Sequence, residues 1–193
     1  KLQNEISTAL YAVYPKENLG TQQSYLILKN AVFSITNGFY IYWYDNRGEP
    51  TTFKQGQYAW DTRFVSLALQ HQFSEEWRLL AQYLNGDTSM GLNIVAADYR
   101  SSYLLLNYQL EQHSVSARYD HFEVIDKDQT PTDDNNGKGH SWTLNWTYQL
   151  TEHFNIALEH SSLTSVQPNR TQWNGWLAEA KQRSSSLIFG YRW

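Results

Sequence analysis

From Ser141 to Leu150 the chain alternates. The even positions are Trp142, Leu144, Trp146, Tyr148 and Leu150, and the odd ones are Ser141, Thr143, Asn145, Thr147 and Gln149. A period of two predicts a β-strand with one apolar and one polar face, because successive side chains leave a pleated strand on opposite sides. The same pattern recurs upstream and downstream. Val65, Leu67, Leu69 and Phe73 alternate with Phe64, Ser66, Ala68, Gln70 and Gln72, and Trp77, Leu79, Ala81 and Tyr83 with Arg78, Leu80, Gln82 and Leu84. Leu104, Leu106, Tyr108 and Leu110 oppose Tyr103, Leu105, Asn107 and Gln109; Val115, Ala117 and Tyr119 oppose Ser114, Ser116, Arg118 and Asp120. Phe154, Ile156 and Leu158 oppose Asn155, Ala157 and Glu159, and the chain ends on Leu187, Phe189, Tyr191 and Trp193 against Ser186, Ile188, Gly190 and Arg192. Near the start, Ile6, Thr8, Leu10, Ala12 and Tyr14 alternate with Ser7, Ala9, Tyr11 and Val13. Residues 25–35 and 39–45 flank Thr36-Asn37-Gly38, and Asn-Gly predicts a tight hairpin there. Both faces of 39–45, Phe-Tyr-Ile-Tyr-Trp-Tyr-Asp, are apolar, so the alternation leaves its outward side open.

The connections alternate as well. Residues 36–38, 74–76, 111–113 and 151–153 are short, whereas 15–23, 46–57, 86–94, 126–139 and 165–182 are long and polar. Short turns at one end and long loops at the other predict an antiparallel up-and-down sheet of about ten strands, forming one domain over residues 1–193. Each predicted strand has about the 9–11 residues that cross hydrocarbon at a steep tilt. An even strand number places both ends of the chain on the short-turn side.

Composition sharpens this picture. Phe, Trp and Tyr make up 16% of the 193 residues, 14 Tyr, 8 Trp and 8 Phe, in a chain whose mean hydropathy is −0.61. A polar chain rich in aromatics is expected of a membrane barrel, where only alternate residues meet lipid and aromatic girdles mark both interfaces. Cysteine is absent, which excludes a disulfide framework, a thiolate metal site and a Cys nucleophile. A net charge of −4 argues against nucleic acid as a partner. No run approaches the 18 apolar residues of a spanning helix. There is no signal peptide, so an exported form is expected to be mature or trimmed. Alternation reads identically in a soluble sandwich or a lipocalin-like barrel. The size of the apolar face, the aromatics at strand ends and Trp193 favour the membrane, where backbone groups have no water to bind and the sheet must close.

The ending Phe189-Gly-Tyr-Arg-Trp193 resembles the terminal strand of bacterial outer-membrane β-barrels. The blocks Arg63-Phe-Val-Ser-Leu-Ala-Leu-Gln-His-Gln-Phe-Ser-Glu-Glu-Trp-Arg78 and Ser141-Trp-Thr-Leu-Asn-Trp-Thr-Tyr-Gln-Leu-Thr-Glu-His-Phe-Asn155 look like strand–turn–strand units of Gram-negative porins. The resemblance covers residues 60–193 and implies an all-β transmembrane barrel in the bacterial outer membrane, without cofactor. It also implies passive diffusion of small polar solutes or ions, with outer-membrane lipid and lipopolysaccharide around the barrel and the barrel-assembly machinery reading the terminal strand. A homo-oligomer is compatible with it. It departs in length: such porins have 16 or 18 strands. The chain is therefore either a narrow ten-stranded barrel or the carboxyl-terminal part of a larger one.

The face assigned to the lumen carries the candidate channel-lining residues Arg78, Gln82, Asn107, Arg118, Asp120, Asn145, Glu159 and Arg192, with Gln109, Gln149 and Asn155 beside them. Both signs of charge occur, so the set reads either as an internal salt-bridge network or as a selectivity surface. No catalytic or metal-binding residues are assigned, and an enzyme is the less favoured reading. The strongest catalytic candidate is His160-Ser161-Ser162, whose His-x-Ser spacing resembles outer-membrane phospholipases and lipid A deacylases. By parity His160 and Ser162 face outward, and Asn174 is the candidate orienting partner. Leu163-Thr164 replaces the Asn-Gly that follows the serine in those families. Asp120-His121 with Asp126 and Asp128 matches the omptin protease plan only loosely. Asp126, Asp128, Asp133, Asp134 and Asn136 carry calcium-type oxygen ligands without EF-hand spacing, and a solvated acidic loop is the simpler reading. The long loops, including Trp173 and Trp176, offer an adhesin or scaffold surface instead.

Overall fold

A computed structural model describes residues 6–13, 21–30, 37–47, 53–54, 57–58, 60–91, 94–128, 130 and 133–192. Of residues 6–13, 21–30, 47, 53–54 and 57–58 only the backbone is described. Trp193 lies outside these residues. Ten strands form one antiparallel up-and-down sheet. They are β1 (Ile6–Val13), β2 (Thr21–Asn30), β3 (Gly38–Arg47), β6 (Trp60–Gln72), β7 (Trp77–Met90), β8 (Val95–Leu110), β9 (His113–Asp126), β10 (Gly137–Gln149), β11 (Phe154–Val166) and β12 (Glu179–Tyr191). A two-stranded hairpin, β4 (Phe53–Lys54) with β5 (Gln57–Tyr58), sits in the β3–β6 connection, and a short helix, α1 (Asn169–Asn174), in the β11–β12 connection. β1 and β12 are the two edges of the sheet.

Side-chain chemistry closes the short turns. At 73–76 the Ser74 hydroxyl accepts the backbone N–H groups of Glu76 and Trp77 at 3.3 and 3.2 Å. At 150–153 Thr151 Oγ1 accepts those of His153 and Phe154 at 3.2 and 3.1 Å. Between β8 and β9 only two residues intervene, and Glu111 takes φ 51. Two-residue hairpins need positive φ to follow the strand twist.

The expected tight hairpin at Asn37-Gly38 does not form. Lys29 lies opposite Gly38, a register that does not turn at Asn37-Gly38, and residues 31–36 lie outside the described residues. Asn37 instead accepts the Gln72 N–H through its side chain at 2.9 Å, which ties this connection to the end of β6. Strand boundaries also move. β7 continues through 86–90, β10 begins at Gly137, β11 runs on through Val166 and β12 begins at Glu179, where the alternation predicts loop.

The register resolves which way each strand faces. Residues directly opposite one another share a face, and Phe39, Ile41 and Trp43 lie opposite Leu69, Leu67 and Val65. The apolar face continues through Leu79, Ala81 and Tyr83, Leu104 and Leu106, Val115 and Tyr119, Trp142, Leu144 and Trp146, and Ile156 and Leu158, to Leu187 and Phe189. Among the described residues nothing packs on it. Trp142 is 55% exposed, Leu144 56% and Phe189 73%, whereas Ala157 is the one buried hydrophobic residue among those described. A soluble sandwich would cover this face with a second layer. On the other face side chains crowd, with Ser66 only 5% exposed, as happens when a sheet curls around that side.

The apolar face is also staggered. The row through Ile41 runs by Leu67, Tyr83, Ser102, His121, His140 and Thr164 to Lys181. The centre of the apolar stretch is Ile41 on β3 but Phe189 on β12, so it slips eight residues (189 − 181) over seven strand steps. With about 3.3 Å per residue and about 4.8 Å between strands, a level band with that slip requires strands tilted by about 40°. That is the tilt of transmembrane barrels.

Candidate functional site

The face opposite the apolar band carries all eight candidate lining residues. Arg78, Asn107, Ser116, Asn145, Glu159 and Ser186 form one row across six strands, β7 to β12. Gln82, Tyr103, Asp120 and Ser141 form another nearer the long loops. Arg118 lies between them, opposite Leu105 and Thr143. Arg192 continues the same parity just past β12, where its backbone N–H donates to the His153 carbonyl at 2.9 Å.

Within this set one charge pair closes on itself. Arg118 Nε donates to Asp120 Oδ1 at 2.8 Å, and the guanidinium carbon stacks 4.3 Å from the Tyr103 ring centre. The Ser141 hydroxyl donates to the other Asp120 oxygen at 3.2 Å. Neighbouring polar groups are tied into the wall: Gln82 donates to Ser66 Oγ at 2.8 Å, Asn107 to Ser114 Oγ at 2.8 Å, and Thr147 to Asn145 Oδ1 at 2.9 Å. Arg78, Glu159 and Arg192 make no ion pair among the described residues. The eight candidates therefore combine a neutralised Arg118–Asp120 pair with three charges that have no ion partner among the described residues.

Sequence reasoning missed a second component. Tyr40, Tyr42 and Tyr44 lie on this inner face, opposite Ala68, Ser66 and Phe64. The Tyr42 and Tyr44 rings sit 5.3 and 5.1 Å from Phe64. Gly86 follows in the same row, between Phe64 and Tyr99. A Cβ there would collide with the Arg63 carbonyl oxygen and lie 2.5 Å from Phe64 Cβ and 2.9 Å from Tyr99 Cζ, so the neighbouring strand's backbone, Phe64 and the Tyr99 ring occupy the space that any larger residue would need. The inner face is thus aromatic on β3, β6 and β8 and polar on β9 to β12. The Tyr-x-Tyr-x-Tyr spacing was the available signal, masked by equally apolar residues between.

The remaining candidates are not brought together as catalytic sets. The His160 ring bonds through Nδ1 to Ser185 Oγ at 2.9 Å, and Ser162 lies opposite Arg183. Asn174 is in α1, within the long loop. Asp120 and His121 occupy adjacent strand positions and so face opposite sides. Among the described residues no group of three or more His, Cys, Asp or Glu is placed to hold a metal.

In the 127–136 connection the carboxylates serve as acceptors for the chain. Asp126 accepts the N–H groups of Asp128 at 3.0 Å and Asn135 at 2.7 Å. Asp128 accepts that of Thr130 at 3.0 Å and lies 3.4 Å from that of Ala96. Asn169 of α1 joins in, donating to Asp133 and Asn135 at 3.1 Å each. The bonds from Thr130 first, and then from Ala96, hold the Asp128 carboxyl below its ordinary value. A depressed pKa means that the ionised carboxylate stabilises the loop above the unfolded value, about 3.9. That contribution is lost as pH falls through the lower folded value. Hydrogen exchange should show the Thr130 and Ala96 amides protected at neutral pH, and Asp128→Asn should bring that protection down to the level the native protein reaches only in acid.

No family model matches the sequence, and no curated protein matches it. The fold does match a solved structure, OmpTdeltaL8, a loop L8 deletion mutant of OmpT, an outer membrane protein of Vibrio cholerae. The two share 8% identity at a TM-score of 0.60, over 92% of this chain and 57% of that one. The chain thus spans a little over half the length of that protein, and its ten-stranded sheet has the all-β, up-and-down architecture seen in that outer-membrane β-barrel.

Proposed function

We propose that the sheet is wall of a porin-like channel in the bacterial outer membrane, admitting small polar solutes or ions by passive diffusion. The observation that carries this is the pairing of a continuous, uncovered apolar band, staggered for a tilt of about 40°, with a polar inner face that carries hydrogen-bonded amides and the charges of Arg78, Glu159 and Arg192. Lipid satisfies the first and water the second. Unpaired edge groups are untenable in hydrocarbon, so β1 and β12 pair there with each other or with further strands. Ten strands closed at this tilt have a backbone radius of about 10 Å, and each added strand widens it.

The test is single-channel recording of the detergent-folded protein in planar bilayers. Discrete conductance steps are expected. Their absence across salts and voltages, with the barrel shown to be inserted, would remove the channel reading and leave a non-conducting scaffold.

A further inference from the structure

On β11 and β12 the apolar band stops early. Below lie Ile156, Leu158, Leu187 and Phe189; above them on the same outward face come His160, Ser162 and Thr164, opposite Ser185, Arg183 and Lys181. On neighbouring β10 the outward residues at the level of His160 and Ser162 are still Leu144 and Trp142. Arg183 lies six residues from the band centre at Phe189. At about 5 Å of height per two residues on a tilted strand, that is about 15 Å, just past the edge of an apolar band about 25 Å tall. Ser185 and His160 fall just inside it.

Three features coincide here. Arg183 is exposed and makes no ion pair or hydrogen bond among the described residues, whereas the nearby Lys181 is already paired with Glu179 at 3.4 Å. Hydroxyls surround it: Ser162 directly opposite, and Ser185 bonded to His160. Directly below is an open groove of about 530 Å³ whose outward walls are Leu144, Trp146, Leu158 and Leu187, with His160 and Ser185 at its upper rim. A cation with hydroxyl donors above an apolar groove complements an amphiphile with an anionic head and a hydrocarbon tail.

We propose that this is a binding site for lipopolysaccharide, with a lipid A phosphate on Arg183 and the Ser162 and Ser185 hydroxyls and an acyl chain in the groove. The placement rests on the membrane reading of the outward face, and on the long-loop end of β12 lying in the outer leaflet, where lipid A is the phosphate-bearing lipid. A second copy of the chain fits less well. Apposing the same surface on both partners would set Arg183 and Lys181 against their counterparts, and Glu179, the one acid among the outward residues of β11 and β12, is already paired.

The experiment uses the folded protein in detergent, mixed with purified lipopolysaccharide and analysed by native mass spectrometry. A heat-modifiable gel shift serves as the check of folding. Retention of lipopolysaccharide over phosphatidylethanolamine and phosphatidylglycerol is expected. A charge-assisted hydrogen bond is worth about tenfold in affinity or more, so Arg183→Glu should lose at least that much, while Arg183→Lys stays near the native value. Enzymatic removal of the lipid A phosphates should match Arg183→Glu. Undiminished binding by a folded Arg183→Glu protein, equal retention of the phospholipids, or a change of oligomeric mass with lipid binding intact would each overturn the site. A native protein that shows no heat-modifiable fold in detergent would overturn the membrane reading itself, and the site with it.

Discussion

Leu144→Arg is expected to cost about 2–4 kcal/mol of folding free energy in a bilayer, the penalty for a cation facing lipid near the midplane. Leu144 sits in the apolar band between Ala117 and His160, with Trp142 and Trp146 on either side along β10 and nothing packed over it. Thr143→Arg, one position away on the inner face, is expected to cost much less, because a strand turns adjacent side chains to opposite surroundings. Urea titration of the protein folded into lipid vesicles measures both. The contrast is sharp because a leucine 56% exposed to water rather than lipid would be replaced by arginine at almost no cost. Equal, small effects at both positions would therefore mean that the apolar band does not meet hydrocarbon.

The same alternation explains how much was legible beforehand. On β9, β10 and β11 the band puts apolar residues on one side and polar or small ones on the other, and there the sequence reading and the register agree, as at Trp142 to Gln149. Beyond the band both faces meet water, and hydropathy stops alternating although the ladder continues. Asp87 of β7, Lys138 of β10 and Glu179 of β12 lie in such extensions, which is why 86–94, 126–139 and 165–182 read as loops up to their ends. On β3 the opposite problem arose. Tyr40, Tyr42 and Tyr44 are as apolar as Phe39, Ile41 and Trp43, and only pairing with Val65, Leu67 and Leu69 assigns the sides. The Asn37-Gly38 signal failed because tertiary context took Asn37 to the end of β6 instead. Of the lining residues, parity alone placed Arg118 and Asp120 on one face, two residues apart. That they neutralise each other, leaving Glu159 unpaired, depends on side-chain geometry that periodicity does not carry.

That imbalance sets the selectivity expected of the lumen. Arg118 is cancelled by Asp120, and Arg78 and Arg192 lie on the short-turn side of mid-height, in the first turn-proximal residues of β7 and just past β12. Glu159 is half-buried on the inner face between Asn145 and Ser186. With β11 centred in the band near Ile156, Glu159 stands three residues, about 8 Å, on the long-loop side of mid-height, as far from it as Arg192 stands from Phe189 on the other side. A charge there acts on a passing ion over a few ångströms, worth about 1 kcal/mol per unit charge at 4 Å in water, while the arginines on the short-turn side are screened from that level over a Debye length of about 8–10 Å. Glu159→Lys changes the local charge by two units, so the cation-to-anion permeability ratio is expected to fall several-fold, up to about tenfold. Glu159→Gln should give about half that effect on a logarithmic scale. Reversal potentials across a potassium chloride gradient give the ratio directly, and raising ionic strength should shrink the difference. An unchanged ratio in Glu159→Lys, in channels of normal conductance, would place Glu159 off the ion path and leave the uncompensated charge with a structural role.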